Sequence, residues 1–220
     1  MLPSSKQHYY DRYWQEQDRS RVSRRAEWRA SQLYGLIGMR YHSLLDIGAG
    51  LGELLTYFRS AGYRVEGWDV SPEAVNSLIT AGYSAKVVDL ESDHYDGYYD
   101  VVSCCEVLQQ IEDPAAVLRK VGAVLKPNGR IFFSVPNEFH IVRRCGIGDP
   151  CESHIQLFSP RKAAELALVS GYVVEKKLYQ PLVPPRWGRF WSRVGQVLAD
   201  TLPSLFSLSV MILAKRPNES

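Results

Sequence analysis

The chain has 220 residues, 45% hydrophobic and 23% charged, enough for one α/β domain with a sizeable core. Its 26 Lys and Arg against 24 Asp and Glu leave a net charge of +2, which argues against a dedicated nucleic-acid binder. No run of roughly 18 apolar residues offers a membrane span, and Met1 to Asp18 lacks the apolar centre of a secretory signal, so a reducing, cytoplasmic setting is expected. Residues 1–40 begin with the aromatic cluster His8-Tyr9-Tyr10-Asp11-Arg12-Tyr13-Trp14 and continue through an Arg-rich stretch to Arg29. Trp28, Leu33, Leu36 and Ile37 are spaced to line one helix face, and this segment is either a surface helix or a lid.

Ser43, Leu44, Leu45 and Ile47 form a short apolar run, and Gly48, Gly50 and Gly52 follow at alternate positions before Glu53 to Phe58 resume helical spacing. A buried strand, a glycine turn and the first turn of a helix explain this order. Such a corner is an anion or nucleotide cradle, but the third glycine comes one residue early for a dinucleotide fingerprint, and no Lys follows for a phosphate-gripping loop. Asp46 at the strand's end would repel a pyrophosphate and suits a cationic ligand. The helix is expected over residues 53–60, stopped by Ala61-Gly62, with a second strand from Tyr63 to Asp69. Asp69 lies 23 positions after Asp46, where an acidic side chain can take ribose hydroxyls; it can also cap the next helix, expected from Pro72 to Thr80. A third strand is read over Ala85 to Leu90 and a fourth, of the buried type, over Asp100 to Cys105. Cys104 and Cys105 read as core thiols, and Cys145 and Cys151 as two loop thiols. A helix over Pro114 to Leu125, a turn at Lys126-Pro127-Asn128-Gly129 and a fifth strand from Arg130 to Val135 follow. Glu138 to Ser153 reads as a basic loop, Arg161 to Ser170 as a helix, and Tyr172 to Tyr179 and Leu208 to Lys215 as the last strands. Between those strands, Trp187, Phe190, Trp191, Val194, Leu198 and Leu205 form an apolar stripe in a region, 176–216, with seven basic residues and one acidic. The stripe is expected to pack on its own domain or a partner subunit, with contact to an anionic membrane surface through 184–207 as the minor alternative. The repeated strand–helix alternation argues a doubly wound parallel sheet with its ligand at the strands' carboxyl ends.

Asp46 to Gly52 resembles motif I of class I S-adenosylmethionine (SAM) methyltransferases, D-x-G-x-G-x-G, with Asp46, Gly48, Gly50 and Gly52 in place. Glu106-Val107-Leu108-Gln109-Gln110-Ile111-Glu112-Asp113-Pro114 resembles the E-V-L-E-H-I-x-D-P segment of methyltransferases that act on small molecules, and Leu125 to Asn137 is similar to the same family. The resemblance covers roughly residues 40–180 and implies a Rossmann-like, mainly parallel seven-stranded sheet with an antiparallel C-terminal hairpin. It implies an N-terminal lid segment over 1–40, a SAM-binding domain over 41–216 with 184–207 as an amphipathic insertion, and methyl transfer from SAM to an O, N or C atom of a small-molecule acceptor. SAM carries an ammonium and a sulfonium and no phosphate, in agreement with Asp46. Besides the motif I residues, the resemblance implies that Ala49, Asp69, Val70, Asp89 and Leu90 face the cofactor, Asp89 through the adenine amino group. Cys105 and Glu106 after the fourth strand, and Tyr13 in the lid, complete that set. The family's Glu-His pair is Gln109-Gln110 here, so a general base at that place is lost. His154, in His154-Ile155-Gln156-Leu157-Phe158-Ser159-Pro160, matches the H-x-x-x-F-[ST]-P pattern beside the acceptor pocket and is the catalytic candidate, ahead of His140. A second resemblance, to the MetW proteins that associate with a homoserine acyltransferase, implies a regulatory alternative without methyl transfer. No metal site is expected, and the oligomeric state is open.

Overall fold

The inner strands of the sheet carry the buried apolar residues, and β1 (Ser43–Ile47) is buried at all five positions, whereas the edge strands are largely exposed. The structure, a computed structural model, describes residues 19–145, 154–181 and 188–217. The expected features at Tyr13, Trp14, Cys151 and Trp187 lie outside the described residues. Seven strands make one sheet in the order β3 (Ser84–Val87), β2 (Arg64–Asp69), β1, β4 (Tyr99–Cys105), β5 (Leu125–Pro136), β7 (Ser207–Lys215) and β6 (Val173–Pro181). Two compact units divide the chain, 1–104 with 123–130, and 105–122 with 131–220.

In the first unit, α1 (Arg19–Ile37) buries Ala30, Leu33 and Ile37. Trp28 and Leu36, expected on that face, are half-buried. Tyr34 meets Tyr57 and Phe58 of α2 (Glu53–Ser60) edge-on, with ring centroids 6.1 and 6.2 Å apart. β1 pairs in parallel with β2 (Arg64–Asp69) and with β4 (Tyr99–Cys105), so that Asp46 sits opposite Gly67 on one side and Ser103 on the other. α3 (Pro72–Thr80) starts at Ser71, whose Oγ accepts from Ala74 N at 3.1 Å, with Pro72 in the first turn. β3 (Ser84–Val87) ends three residues earlier than the expected strand. Asp89 N donates to Asp93 Oδ2 and Asp93 N to Asp89 O, and this turn withdraws the backbone from the ladder.

α4 (Pro114–Val124) and β5 (Leu125–Pro136) each contribute residues to both units. The expected turn at Lys126–Gly129 lies inside the span of β5, and its bend survives as the left-handed Asn128 at φ 62°. Lys126 Nζ fixes it, 3.0 Å from Asp100 Oδ1 and 3.3 Å from Ser43 Oγ.

In the second unit the described part of the loop expected over 138–153 contains a helical turn, α5 (Ile141–Arg144). α6 (Pro160–Val169) is capped by Ser159, whose Oγ accepts from Lys162 N. Behind it, Tyr172 Oη donates to Leu118 O at 2.7 Å. β6 (Val173–Pro181) and β7 (Ser207–Lys215) form the antiparallel hairpin. α7 (Gly188–Thr201) and α8 (Pro203–Phe206) join them. α7 is rotated against expectation: Gly195 and Ala199 are buried, whereas Phe190, Trp191 and Val197 are 69%, 51% and 63% exposed. The small residues allow close approach, and Gln196 Nε2 sets the rotation by donating to Tyr179 O of β6 at 3.1 Å. No helix among the described residues is long and apolar enough to cross a membrane.

Candidate functional site

Gly48, Gly50 and Gly52 all take positive φ, at 71°, 54° and 84°, so the chain turns from β1 into α2 through conformations that side chains resist. A Cβ on Gly52 would stand 2.5 Å from Leu78 Cδ2, so close packing also excludes a side chain there. The turn is tied to the end of β2: Gly48 N and Ala49 N both donate to Trp68 O, at 2.7 and 3.0 Å. Asp69 closes it. Its Oδ2 accepts from Gly50 N and its Oδ1 from Ser71 N, both at 2.9 Å, so one buried carboxylate holds the glycine corner and the start of α3 together. Ala49 is buried beneath the turn and Val70 is half-buried beside it.

Asp46 lies under the same corner, fully buried, and accepts from Ser103 Oγ at 2.7 Å. Burial pushes its carboxyl up to about 7, opposed by the Ser103 hydrogen bond and reinforced by the neighbouring charges of Glu53 and Asp69. Three acidic side chains therefore gather at one helix start, an arrangement that rejects phosphate and fits a cationic ligand. Glu53 joins this group from the first turn of α2, a place the sequence marks but to which it assigns no role. Asp89 stands beyond the end of β3, where its Oδ1 accepts from Glu91 N at 3.0 Å; Leu90 beside it is buried, and Val88 N donates to Asp69 O.

The second unit carries the other expected residues. Cys105 and Glu106 are half-buried. Glu106 adopts φ 59° and is held from three sides: its N donates to Ser134 O, its Oε1 accepts from Ser134 Oγ, and its O accepts from Gln109 Nε2. Gln109 is 2% exposed, and its backbone O accepts from both Ile155 N and Gln156 N, at 2.8 and 2.9 Å. The residue standing where the family places Glu thus positions the segment that carries His154. His154 Nδ1 is 2.7 Å from Glu138 Oε1, and the Glu138 side chain is 2% exposed. Arg143 Nε pairs with Glu138 Oε2 at 2.8 Å, an ion pair by distance without hydrogen-bond alignment. A carboxylate can only accept, so Nδ1 donates and Nε2 is left as the basic nitrogen. By sequence Glu138 is a loop residue, and only its meeting with a histidine 16 positions later reveals it. His140 caps α5 by accepting from Arg143 N, and burial, with the Arg143 charge, pulls its imidazole below the usual range. Among the described residues no cluster of three or more His, Cys, Asp or Glu could hold a metal.

A family model described as a methyltransferase domain matches residues 7–177. The chain belongs to the SAM-dependent methyltransferases. This methyltransferase is 33% identical over 121 residues to the ubiquinone biosynthesis O-methyltransferase of Erwinia tasmaniensis, covering 51% of the chain and 49% of the relative. It is 37% identical over 101 residues to the protein of that name from Burkholderia vietnamiensis, at 42% and 44% coverage. The chain thus spans about half the length of the curated relatives it matches. Its fold is that of a SAM-dependent methyltransferase from Mesorhizobium loti, with TM-score 0.64, 19% identity and coverage of 87% and 98%. It is also that of magnesium protoporphyrin IX methyltransferase from Synechocystis with bound SAM, with TM-score 0.60, 16% identity and coverage of 93% and 84%. These relatives are methyltransferases and give the MetW reading no support.

Proposed function

We propose that this methyltransferase transfers the methyl group of SAM to a hydroxyl oxygen of a small molecule with an apolar face. The observation that carries the reading is the His154–Glu138 contact, an imidazole oriented by a buried carboxylate. SAM, when bound, supplies an electrophilic methyl group on a sulfonium. Asp69 and the glycine corner hold it through its hydroxyls and cationic groups, and Asp89 and Leu90 border its base. His154 Nε2 takes the acceptor's hydroxyl proton, Glu138 fixes the tautomer, and Arg143 keeps Glu138 in place. Phe139, Ile141, Ile155 and Leu157, adjoining Glu138 and His154 in the chain, are 40–59% exposed and suit an acceptor with an apolar face. The O-methyltransferase names of the curated relatives support the choice of atom.

The test is methyl transfer from labelled SAM to a panel of phenols, alcohols, amines and thiols. Turnover on hydroxyl acceptors should fall about 10²-fold or more in His154→Gln with SAM binding intact, the scale of a lost general base. Glu138→Gln should lower kcat while leaving the SAM dissociation constant unchanged. Normal turnover in His154→Gln, or transfer confined to amines and thiols, overturns the reading.

A further inference from the structure

Helix α7 carries none of the residues assigned to the methyl-transfer site, and its apolar face is inverted. At 100° per residue, Val197, Phe190, Val194, Leu198 and Trp191 of α7 fall in one arc of about 120°. That arc faces away from the sheet: Phe190, Val197 and Trp191 are more than half exposed, and Val194 and Leu198 are half-buried. Phe190 and Trp191 touch edge-on, with centroids 5.4 Å apart, so the two rings form one apolar projection. The face turned to the protein buries the small Gly195 and Ala199, with the polar Ser192 and Gln196 half-buried beside them. Burying that face while exposing the large residues opposes the hydrophobic effect unless something covers the arc.

Charge selects the cover. From Val173 to Arg216 the sequence has seven basic and two acidic residues, while the whole chain is only +2, so the rest of the molecule is net acidic. Lys176, Lys177 and Arg193 are exposed on β6 and α7. A two-fold pairing of two copies through α7 would press this basic region against itself, at a cost in like-charge repulsion. An anionic lipid surface offers both an apolar layer for the rings and negative headgroups for Arg193, which borders the arc on the same helix. We propose that α7 is a membrane-surface anchor that docks this methyltransferase on anionic bilayers, lying in the headgroup plane with Phe190 and Trp191 inserted.

The full chain is tested by co-sedimentation with vesicles of phosphatidylglycerol mixed with phosphatidylcholine and with vesicles of phosphatidylcholine alone. Binding is expected only to the anionic vesicles, and it should weaken as salt is raised. Phe190→Ser with Trp191→Ser should reduce vesicle affinity at least roughly tenfold, given the apolar area withdrawn from the interface, with methyl transfer to a soluble acceptor unchanged. Val197→Glu, which leaves both rings in place, should reduce it as well and serves if the double variant does not fold. Absence of wild-type binding to the anionic vesicles at low salt, or equal binding to both vesicle types, overturns the proposal. So does a wild-type dimer in sedimentation equilibrium that Val197→Glu dissociates without any vesicle binding. Because vesicle binding needs neither SAM nor His154, its outcome is independent of the assigned reaction.

Discussion

Asp46 is buried at the glycine corner, and that burial raises its carboxyl far above the usual carboxylate range. With a folded value of about 7 against an unfolded value near 3.9, it keeps a proton in the native state over a range where the unfolded chain has lost it. The resulting stabilisation is full below about pH 4 and is lost as pH rises toward about 7, so wild-type stability should fall across that window and level off above it. Asp46→Asn keeps an acceptor for Ser103 without the charge. Urea unfolding should therefore show the variant gaining on the wild type as pH rises from 4 to 8, by an amount on the order of a few kcal/mol. A cationic ligand over the corner reverses the preference of Asp46 for its neutral form. SAM should accordingly bind more tightly at about pH 8 than at about pH 6, with proton release measurable by calorimetry in buffers of differing ionisation enthalpy. Asp69 behaves differently because its two oxygens serve backbone N–H groups. Asp69→Asn turns an amide NH₂ toward one of these donors and should cost about 1–3 kcal/mol of folding stability in addition to weakening SAM.

The packing of β2 against α2 and α3 is fixed at Gly67. A Cβ there would lie 2.9 Å from Leu55 Cδ1, 3.0 Å from Ala49 Cβ and 3.1 Å from Leu78 Cδ1, so both helices and the glycine corner close on one missing side chain. Gly67→Ala should cost about 1–3 kcal/mol in thermal unfolding, as overpacking does, and should loosen SAM by displacing Ala49. Elements of this kind were readable in the sequence. Gly48 to Gly52, Ser71-Pro72 and Gly62 act on their own backbone, and the expected bounds of α2 and α3 coincide with those observed. Features decided by distant residues were not readable. Glu138 looks like any loop acid until His154 is brought to it, and β3 stops short of the expected strand because Asp93, four residues on, draws Asp89 N into a turn. The period of α7 revealed a stripe, but period alone carries no sign: Gly195 and Ala199, the residues that meet the sheet, are too small to register as an apolar face.

For the molecule as a whole, a ligand that binds only the folded state adds RT ln(1 + [L]/Kd) to stability. SAM at a hundredfold excess over its dissociation constant should therefore contribute about 2.7 kcal/mol and raise Tm by roughly 5–10 °C. NAD, for which the corner lacks the glycine spacing and carries the wrong charge, should leave Tm unmoved in the same scan. Asn137, at the end of β5, has a consequence for synthesis. Its Nδ2 is 3.1, 3.2 and 3.0 Å from the carbonyl oxygens of Pro203, Ser204 and Ser207, all supplied by residues 66–70 positions downstream. The parallel pairs β1–β2, β2–β3 and β1–β4 are complete by Cys105, long before those carbonyls leave the ribosome. A nascent chain stalled before Pro203 would accordingly hold an assembled N-terminal half and an Asn137 amide still waiting for its acceptors, making the C-terminal hairpin the step on which quality control can act.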